Sequence, residues 1–176
     1  MALATSAPGG RLKTLNDKCK ITIGGHEVNL KILPEIGDTK KATYADTTII
    51  GRSSPIKTYS HSDNRVITMK LHFIVVEQKD IQNNIDDLWA IESATYPRQG
   101  DPYSPPPVCK IQCGKLLGDQ PLCVVLESYS VSAPTNVAWD KDTLMPYYLE
   151  VSTTWHVVYS TKAGLPNQDK ILGHGM

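Results

Sequence analysis

The sequence predicts a mainly β fold, with an antiparallel curved sheet or barrel and one α-helix packed on it. Two observations support this prediction. Apolar and polar residues alternate along several stretches, which is the period of strands with one buried face, and short connections between them favour antiparallel pairing. Only one stretch repeats its apolar residues at helical spacing. A sheet covered by one helix therefore accounts for the apolar pattern.

Length and composition indicate a single soluble domain. The chain has 176 residues, of which 40% are hydrophobic and 20% are charged, so a core can form. Eighteen basic and eighteen acidic residues cancel, which leaves no net field to attract nucleic acid. No run reaches the roughly 18 apolar residues of a membrane span, and the first residues lack the apolar centre of a signal peptide. We expect neither specific nucleic-acid binding nor a membrane partner.

The chain divides into three segments. Residues 1–18 mix Ala, Ser, Pro and Gly with charges and show no apolar period, which predicts a mobile N-terminal arm that becomes ordered on a partner. Residues 19–160 hold the predicted β domain. Residues 161–176 are polar and form a predicted C-terminal tail.

Alternation predicts about six strands inside the β domain. In the clearest strand, Ile67, Met69 and Leu71 share one face, while Thr68 and Lys70 share the other. The last strand would hold ~15 residues and span roughly 50 Å if straight, which suggests a bulge or a projecting end. The predicted strands are 20–23 and 28–32 on either side of a Gly24–Gly25 turn, 65–76, 108–114, 122–132 and 146–160.

One amphipathic helix is predicted over residues 80–96. Asp80 can cap its first turn, and Pro97 ends it. Trp89 neighbours the apolar stripe of the helix and is expected in the core. The stripe recurs at spacings of four, three and three, at Ile81, Ile85, Leu88 and Ile91.

Two stretches are predicted to contact other subunits. Residues 35–64 are rich in Thr, Ser, Gly and Lys, which predicts a long loop, and such loops in compact domains are usually functional. Trp139 lies in a charged connection, where it either folds back onto its own domain or anchors a contact. The candidate subunit contacts are Arg52, Tyr59, Trp139, Asp140 and Lys141.

No catalytic residue, metal or cofactor is predicted. His61, Ser62 and Asp63 are the residue types of a hydrolase triad, but three consecutive side chains diverge, so the stretch is interpreted as a polar turn. His72 and His156 lie on the minor faces of their strands without a second ligand at metal spacing. They are interpreted as solvent-facing or interface histidines.

The four cysteines indicate a reducing compartment, because they are too few and too scattered for a disulfide scaffold. Cys109 and Cys113 would lie about 13 Å apart along a strand, too far for a shared zinc ion or a mutual disulfide. They are interpreted as small core residues. Cys113 could face Cys123 across a hairpin that turns near Gly118, so a pair between them stays open.

Three stretches cover most of residues 47–160. They are TTIIGRSSPIKTYSHSDNRVITMKLHF, DIQNNIDDLWAIESATYPRQGDPYSPPPVCKIQCG and LCVVLESYSVSAPTNVAWDKDTLMPYYLEVSTTWHVVYS. Together they resemble the tail-tube-like baseplate proteins, including tail tube initiators, of contractile-tailed bacteriophages, a family whose members often carry a LysM domain. The resemblance implies a fold of the phage tail-tube-like type. Residues 161–176 alone follow the last predicted strand, so we expect no LysM domain here.

The resemblance implies assembly rather than catalysis. It implies a structural virion protein of the tail baseplate, assembled in the host cytoplasm, which forms a ring with itself that is six-fold by analogy. The ring would receive the baseplate hub protein on one side and start polymerisation of the tail tube protein on the other, with wedge or sheath proteins as further partners. Three alternatives stay open: a baseplate wedge or peripheral subunit, a tail-associated peptidoglycan-active enzyme, and a free-standing binding module.

Overall fold

Nine strands and one helix make up the part of the chain that the computed structural model describes, namely residues 19–28, 30–51, 53–97, 104–118 and 120–158. The predicted fold class, mainly β with one helix and antiparallel pairing, is confirmed. The predicted arm and tail lie outside the described residues. The elements are β1 (Cys19–Ile23), β2 (His26–Val28), β3 (Glu35–Thr39), β4 (Ala42–Thr47), β5 (Ile56–Ser62), β6 (Val66–Ile74), α1 (Lys79–Ser93), β7 (Cys109–Cys113), β8 (Leu122–Ser132) and β9 (Tyr148–Val157).

Seven strands form one sheet in the order β2-β1-β7-β8-β9-β6-β3. Strands β2 and β3 are its two edges, so the sheet is open and does not close into a barrel. Helix α1 packs beside β2 and β6. Strands β4 and β5 pair with each other in a separate two-stranded sheet.

The core lies on one face of the seven-stranded sheet, as the alternation predicted. Ile67, Met69 and Leu71 of β6 are buried there. The fully buried Trp155 donates from Nε1 to Thr153 Oγ1 at 2.8 Å, and this hydroxyl donates to the carbonyl of Met69 at 3.1 Å. Both buried polar side chains are therefore satisfied inside the core.

The helix packs through a partly polar inner face. Asn84 Nδ2 donates to the carbonyl of Ile74 at 3.3 Å, and the buried carboxylate of Asp87 lies 2.6 Å from His26 Nε2. Since buried polar groups are costly unless they are bonded, these contacts fix the position of the helix on the sheet.

The predicted capping role of Asp80 is wrong in detail. Asp80 lies inside the first turn, and Gln78 occupies the N-cap without a side-chain bond. The Asp80 carboxylate instead accepts from the backbone N–H groups of Val76 at 3.0 Å and Glu77 at 2.7 Å, and it pairs with Lys31. Burial alone would raise the pKa of Asp80, but the bonds from Lys31 and the backbone outweigh it and lower that pKa.

Trp89 is not in the core, contrary to the prediction. Its side chain is 63% exposed, because the buried helix positions are Asp80, Ile81, Asn84, Asp87 and Ile91 and Trp89 lies on the opposite side. Three of these five buried residues are polar, so the buried face of the helix could not be recognised from apolar spacing. The apolar stripe that the sequence predicted is rotated slightly around the helix axis from the face that is buried.

The prediction of one long loop over residues 35–64 is also wrong. The stretch contains β3, β4 and β5. Every residue of β5 is exposed, and β4 is exposed apart from Thr43. A hairpin with water on both faces has no reason to alternate apolar and polar residues, so periodicity could not reveal it.

Strand β9 is shorter than predicted, with ten residues. The bulge suggested for it lies in its neighbour β8, where the register shifts between Leu126 and Ser128. Glu127 is the extra residue. Its carboxylate lies 2.7 Å from His156 Nε2 on β9.

One disulfide is present, and it joins Cys19 to Cys113. The two residues are direct partners across β1 and β7, a pairing that spacing along the chain could not predict. The suggested pair of Cys113 with Cys123 is therefore wrong, and Cys123 is an exposed free thiol opposite Lys110. Cys109 is a buried core residue as predicted, and burial raises the pKa of its thiol to about 11.

The strands give the molecule two distinct ends. At the first, which we call the hairpin end, the β4–β5 hairpin extends from β3 and β6, and β1 begins and β9 ends. At the second, the loop end, the connection between β8 and β9 lies beside the end of β6. The register pairs that place these features are Cys19 with Cys113, Ile111 with Leu122, Val124 with Val157, Val66 with His156, Thr39 with Val66, and Ile74 with Tyr148.

Candidate subunit-contact surfaces

The projecting hairpin, which we define as β4, β5 and the described residues between them, is exposed to solvent along both strands apart from Thr43. It continues the β3–β6 pair beyond the sheet, and its base is closed by a hydrogen bond from Asp63 N to the Lys41 carbonyl at 2.8 Å. At ~3.3 Å per residue its strands extend about 20 Å from the body. An ion pair of 2.9 Å joins Lys57 to Asp46 across the strands.

The projecting hairpin presents apolar side chains to solvent. Ile50 at its tip is fully exposed, and Ile49 is half exposed. Tyr44 and Tyr59 pack edge to face with ring centroids 5.9 Å apart, yet more than half of each remains exposed. An isolated two-stranded hairpin is marginally stable in water, so a partner that covers these side chains would stabilise it.

A chain of hydrolase-like contacts lies at the end of β5. Ser60 Oγ lies 3.1 Å from His61 Nδ1, and His61 Nε2 lies 3.2 Å from Asp63 Oδ1. The prediction that His61 and Asp63 diverge is therefore wrong, because β5 ends at Ser62 and the strict alternation of side chains does not continue to Asp63. Both side chains are exposed, at 61% and 42%, and a catalytic base needs its partners held in a preorganised site.

The loop between β8 and β9 is held in shape by Asp140. Its carboxylate accepts hydrogen bonds from Thr143 Oγ1 at 2.6 Å and from Thr143 N at 2.9 Å, which lower the pKa of Asp140. The backbone of Asp140 also bonds to Met145 O and Leu144 N. The Asp140 to Thr143 spacing is a local side-chain-to-backbone turn that the sequence could have indicated.

This loop displays two apolar side chains on a fixed backbone. Trp139 is 44% exposed, and Leu144 is 73% exposed with a φ of 53°. A left-handed backbone costs an L-residue of this kind about 1 kcal/mol, and such conformations concentrate at functional sites. Leu144 is a candidate contact that the sequence pattern did not reveal.

Replacing Leu144 by glycine is expected to raise the free energy of unfolding by about 1 kcal/mol, because glycine adopts a positive φ without steric cost. Urea denaturation would measure the change. Lys141→Gly in the same loop is the matched control and should not stabilise, since Lys141 does not have a positive φ. Equal effects of the two substitutions would show that strain at Leu144 is absent.

The outer face of the sheet is polar. A shallow groove of about 380 Å³ crosses β3, β6 and β9, and Glu35, Thr68 and Ser152 are among its lining residues. Lys70, which also lines this groove, forms an ion pair of 2.7 Å with Glu150, and this pair raises the pKa of Lys70 and lowers that of Glu150. Both groups stay charged near neutral pH, which makes them unsuited to proton transfer.

His72 is covered rather than solvent-facing. Its Nδ1 lies 2.9 Å from the hydroxyl of Tyr148, whose ring stacks on the imidazole with centroids 6.1 Å apart. The Tyr148 hydroxyl donates to Glu150 at 2.7 Å. His156 is partly exposed and bonds to Glu127. The interface role proposed for either histidine stays a prediction.

The four candidate contacts that the structure describes fall into two groups. Tyr59 is on the projecting hairpin at the hairpin end, and Arg52 lies outside the described residues. Trp139, Asp140 and Lys141 are together in the loop at the other end. Asp140 is nearly buried and acts within the loop, whereas Trp139 and Lys141 remain exposed. The two groups therefore lie at opposite ends of the molecule.

The described residues contain no group of three or more His, Cys, Asp or Glu side chains placed to hold a metal ion. Within the same ranges, no helix combines the length and apolarity needed to cross a membrane. No protein-family model matches the chain, and no curated protein matches it either. The observations define a class: a mainly β protein with an open antiparallel sheet, one helix and a projecting hairpin.

Proposed function

We propose that this protein is a structural subunit of a contractile phage tail, of the tail-tube-like type. Copies of the chain form a closed ring at the baseplate, which joins the central hub to the tail tube and starts tube assembly. The contacts are made by surfaces at the two ends of the sheet. No catalytic step is part of this function.

The observation that carries the proposal is the projecting hairpin. It extends about 20 Å beyond the sheet with Ile49 and Ile50 at its tip, and its strands pair with each other rather than with the body. Ordered apolar side chains this far from a core gain stability only when a second surface covers them. A neighbouring subunit in a ring or stack supplies such a surface.

The separation of the two contact groups supports the same proposal. The projecting hairpin lies at one end of the strands, and the loop with Trp139 and Leu144 lies at the other. A subunit with different surfaces at its two ends contacts a different neighbour with each end. A protein between a hub and a tube needs such unlike ends.

A phage with an early stop codon in this gene tests the proposal. We expect filled heads without tails, beside baseplates that bear no tube, in electron micrographs of the lysate. A wild-type copy supplied in trans should restore infectious particles. A copy with Ile50→Asp should restore at least about tenfold fewer, because a charge then replaces the exposed apolar side chain that the neighbouring subunit covers in the ring.

Ser54→Asp, in the same exposed connection of the projecting hairpin, is the matched control and should restore particles nearly as well as the wild type. Circular dichroism of each purified chain would show that both variants fold. Normal infectious particles from the stop mutant would contradict the proposal. Intact tails that have lost muralytic activity in His61→Ala would instead favour the alternative of a peptidoglycan-active enzyme.

A further inference from the structure

The outward face of helix α1 carries an aromatic and acidic stripe, which we define as Asp86, Trp89, Glu92 and Tyr96. The residues are three or four apart, with Tyr96 one turn beyond Glu92, so their side chains line one side of the helix. Trp89 is 63% exposed and Tyr96 is 57% exposed. This side lies opposite the buried positions, and the body of the molecule does not cover it.

The stripe is negatively charged. Asp86 accepts a hydrogen bond from the neutral amide of Gln82 at 2.9 Å, which leaves its charge in place. Burial, the charge of Glu92 and the nearby Tyr96 together raise the pKa of the Tyr129 phenol on β8. An occupant of this stripe must be basic and must also present apolar groups.

The N-terminal arm has that chemistry. In residues 1–18 the basic side chains Arg11, Lys13 and Lys18 outnumber the single acid, Asp17. Leucines at positions 12 and 15 alternate with the basic residues, so charged and apolar contacts are available together. Arginine stacks well on exposed aromatic rings, and Trp89 is the best such ring on the helix.

The attachment point of the arm is fixed. Strand β1 begins at Cys19, which is bonded to Cys113, so the arm starts at the hairpin end of a rigid body. Eighteen residues span at most about 60 Å when extended, whereas the fifteen-residue helix is about 22 Å long. The arm is therefore long enough to reach the stripe of an adjacent copy.

We propose that residues 1–18 of one copy bind the aromatic and acidic stripe on helix α1 of a second copy. Arg11 and Lys13 contact Asp86 and Glu92, and the arm leucines pack on the two aromatic rings. This inference rests on the proposed function, because the ring is what brings two copies together. It links the subunits of a ring by exchange of their arms.

Carbodiimide cross-linking of the full chain tests the inference, because it joins lysine to carboxylate only where they touch. Equal amounts of ¹⁴N-labelled and ¹⁵N-labelled chain are assembled together, and cross-linked peptides are identified by mass spectrometry. We expect Lys13 or Lys18 joined to Asp86 or Glu92 in mixed-isotope pairs. Lys57 joined to Asp46, which are 2.9 Å apart within one chain, is the internal control and should be unmixed.

Two variants sharpen the test. Trp89→Ala should lower the yield of mixed cross-links by about tenfold or more, and Trp89→Phe should retain most of it, because an aromatic ring is kept. Rings without mixed cross-links, or with only same-isotope ones, would overturn arm exchange and leave the proposed function standing. Monomers by light scattering with no mixed cross-link would overturn both.

Discussion

Replacing Asp38 by alanine is expected to lower the free energy of unfolding by about 3 kcal/mol. Arg65 is fully buried, and its guanidinium donates to both carboxylate oxygens of Asp38, from Nε at 2.9 Å and from Nη2 at 2.5 Å. The variant keeps the buried guanidinium and removes the carboxylate that accepts these two hydrogen bonds. Chemical denaturation followed by circular dichroism would measure the loss.

A second ion pair in the same part of the chain provides the control. Asp46 and Lys57 are also joined across two strands, at 2.9 Å, but both side chains are at least half exposed. Water solvates that pair, so Asp46→Ala should leave stability unchanged within error. Combining Asp38→Ala with Arg65→Met should cost less than Asp38→Ala alone, because the buried guanidinium charge is then removed as well. Equal losses in Asp38→Ala and Asp46→Ala would contradict the role given to Arg65.

Reducing the Cys19–Cys113 disulfide is expected to lower the free energy of unfolding by about 3 kcal/mol. The bond closes a loop with a sequence separation of 94 residues, so breaking it restores much freedom to the unfolded chain. For a chain of this size the change corresponds to a fall in Tm of roughly 10 °C. Calorimetry with and without dithiothreitol would measure it.

Substitutions separate the bond from the packing of its sulfur atoms. The double variant Cys19→Ala, Cys113→Ala should unfold at a lower temperature and should no longer respond to dithiothreitol. Cys109→Ala removes a buried sulfur that is not cross-linked, so it measures the packing loss alone and should keep its response to reductant. A wild-type Tm that reductant does not change would show that the bond makes no contribution.

The stability of the protein depends on the redox environment, because the Cys19–Cys113 bond forms only under oxidising conditions. The sparse cysteines predicted a reducing compartment, and the cytoplasm keeps thiols reduced. A chain that assembles there folds first as the dithiol, with Cys19 and Cys113 already adjacent across two strands. Oxidation of the two thiols, wherever it takes place, would then strengthen the folded form without moving the strands.

The strands that bury one face in the core were predictable from sequence. Residues 122–132 were predicted with the bounds that β8 has, and the apolar face of β6 was identified correctly. The projecting hairpin was missed because neither of its faces enters a core, so selection for burial leaves no period in the sequence. The pairing of strands that are distant in sequence, such as the one that places Cys19 opposite Cys113, likewise cannot be predicted from the spacing of nearby residues.

The candidate surfaces were predictable only as regions. Trp139 was singled out because an aromatic residue in a charged loop is unusual, and it is partly exposed. The role of Asp140 in shaping that loop depends on its bonds to Thr143, which only the folded backbone aligns. Trp89 was misplaced because buried Asn84 and Asp87 replaced the apolar residues that normally mark an inner face.

Both points where the described chain stops, at Cys19 and at Val158, lie at the hairpin end. A label attached directly beside either of these two points would therefore mark the same side of the described domain. In an assembly of this chain, gold labelling at such a position would show the direction in which each subunit points. The fold therefore allows the orientation of each labelled subunit to be read from an electron micrograph.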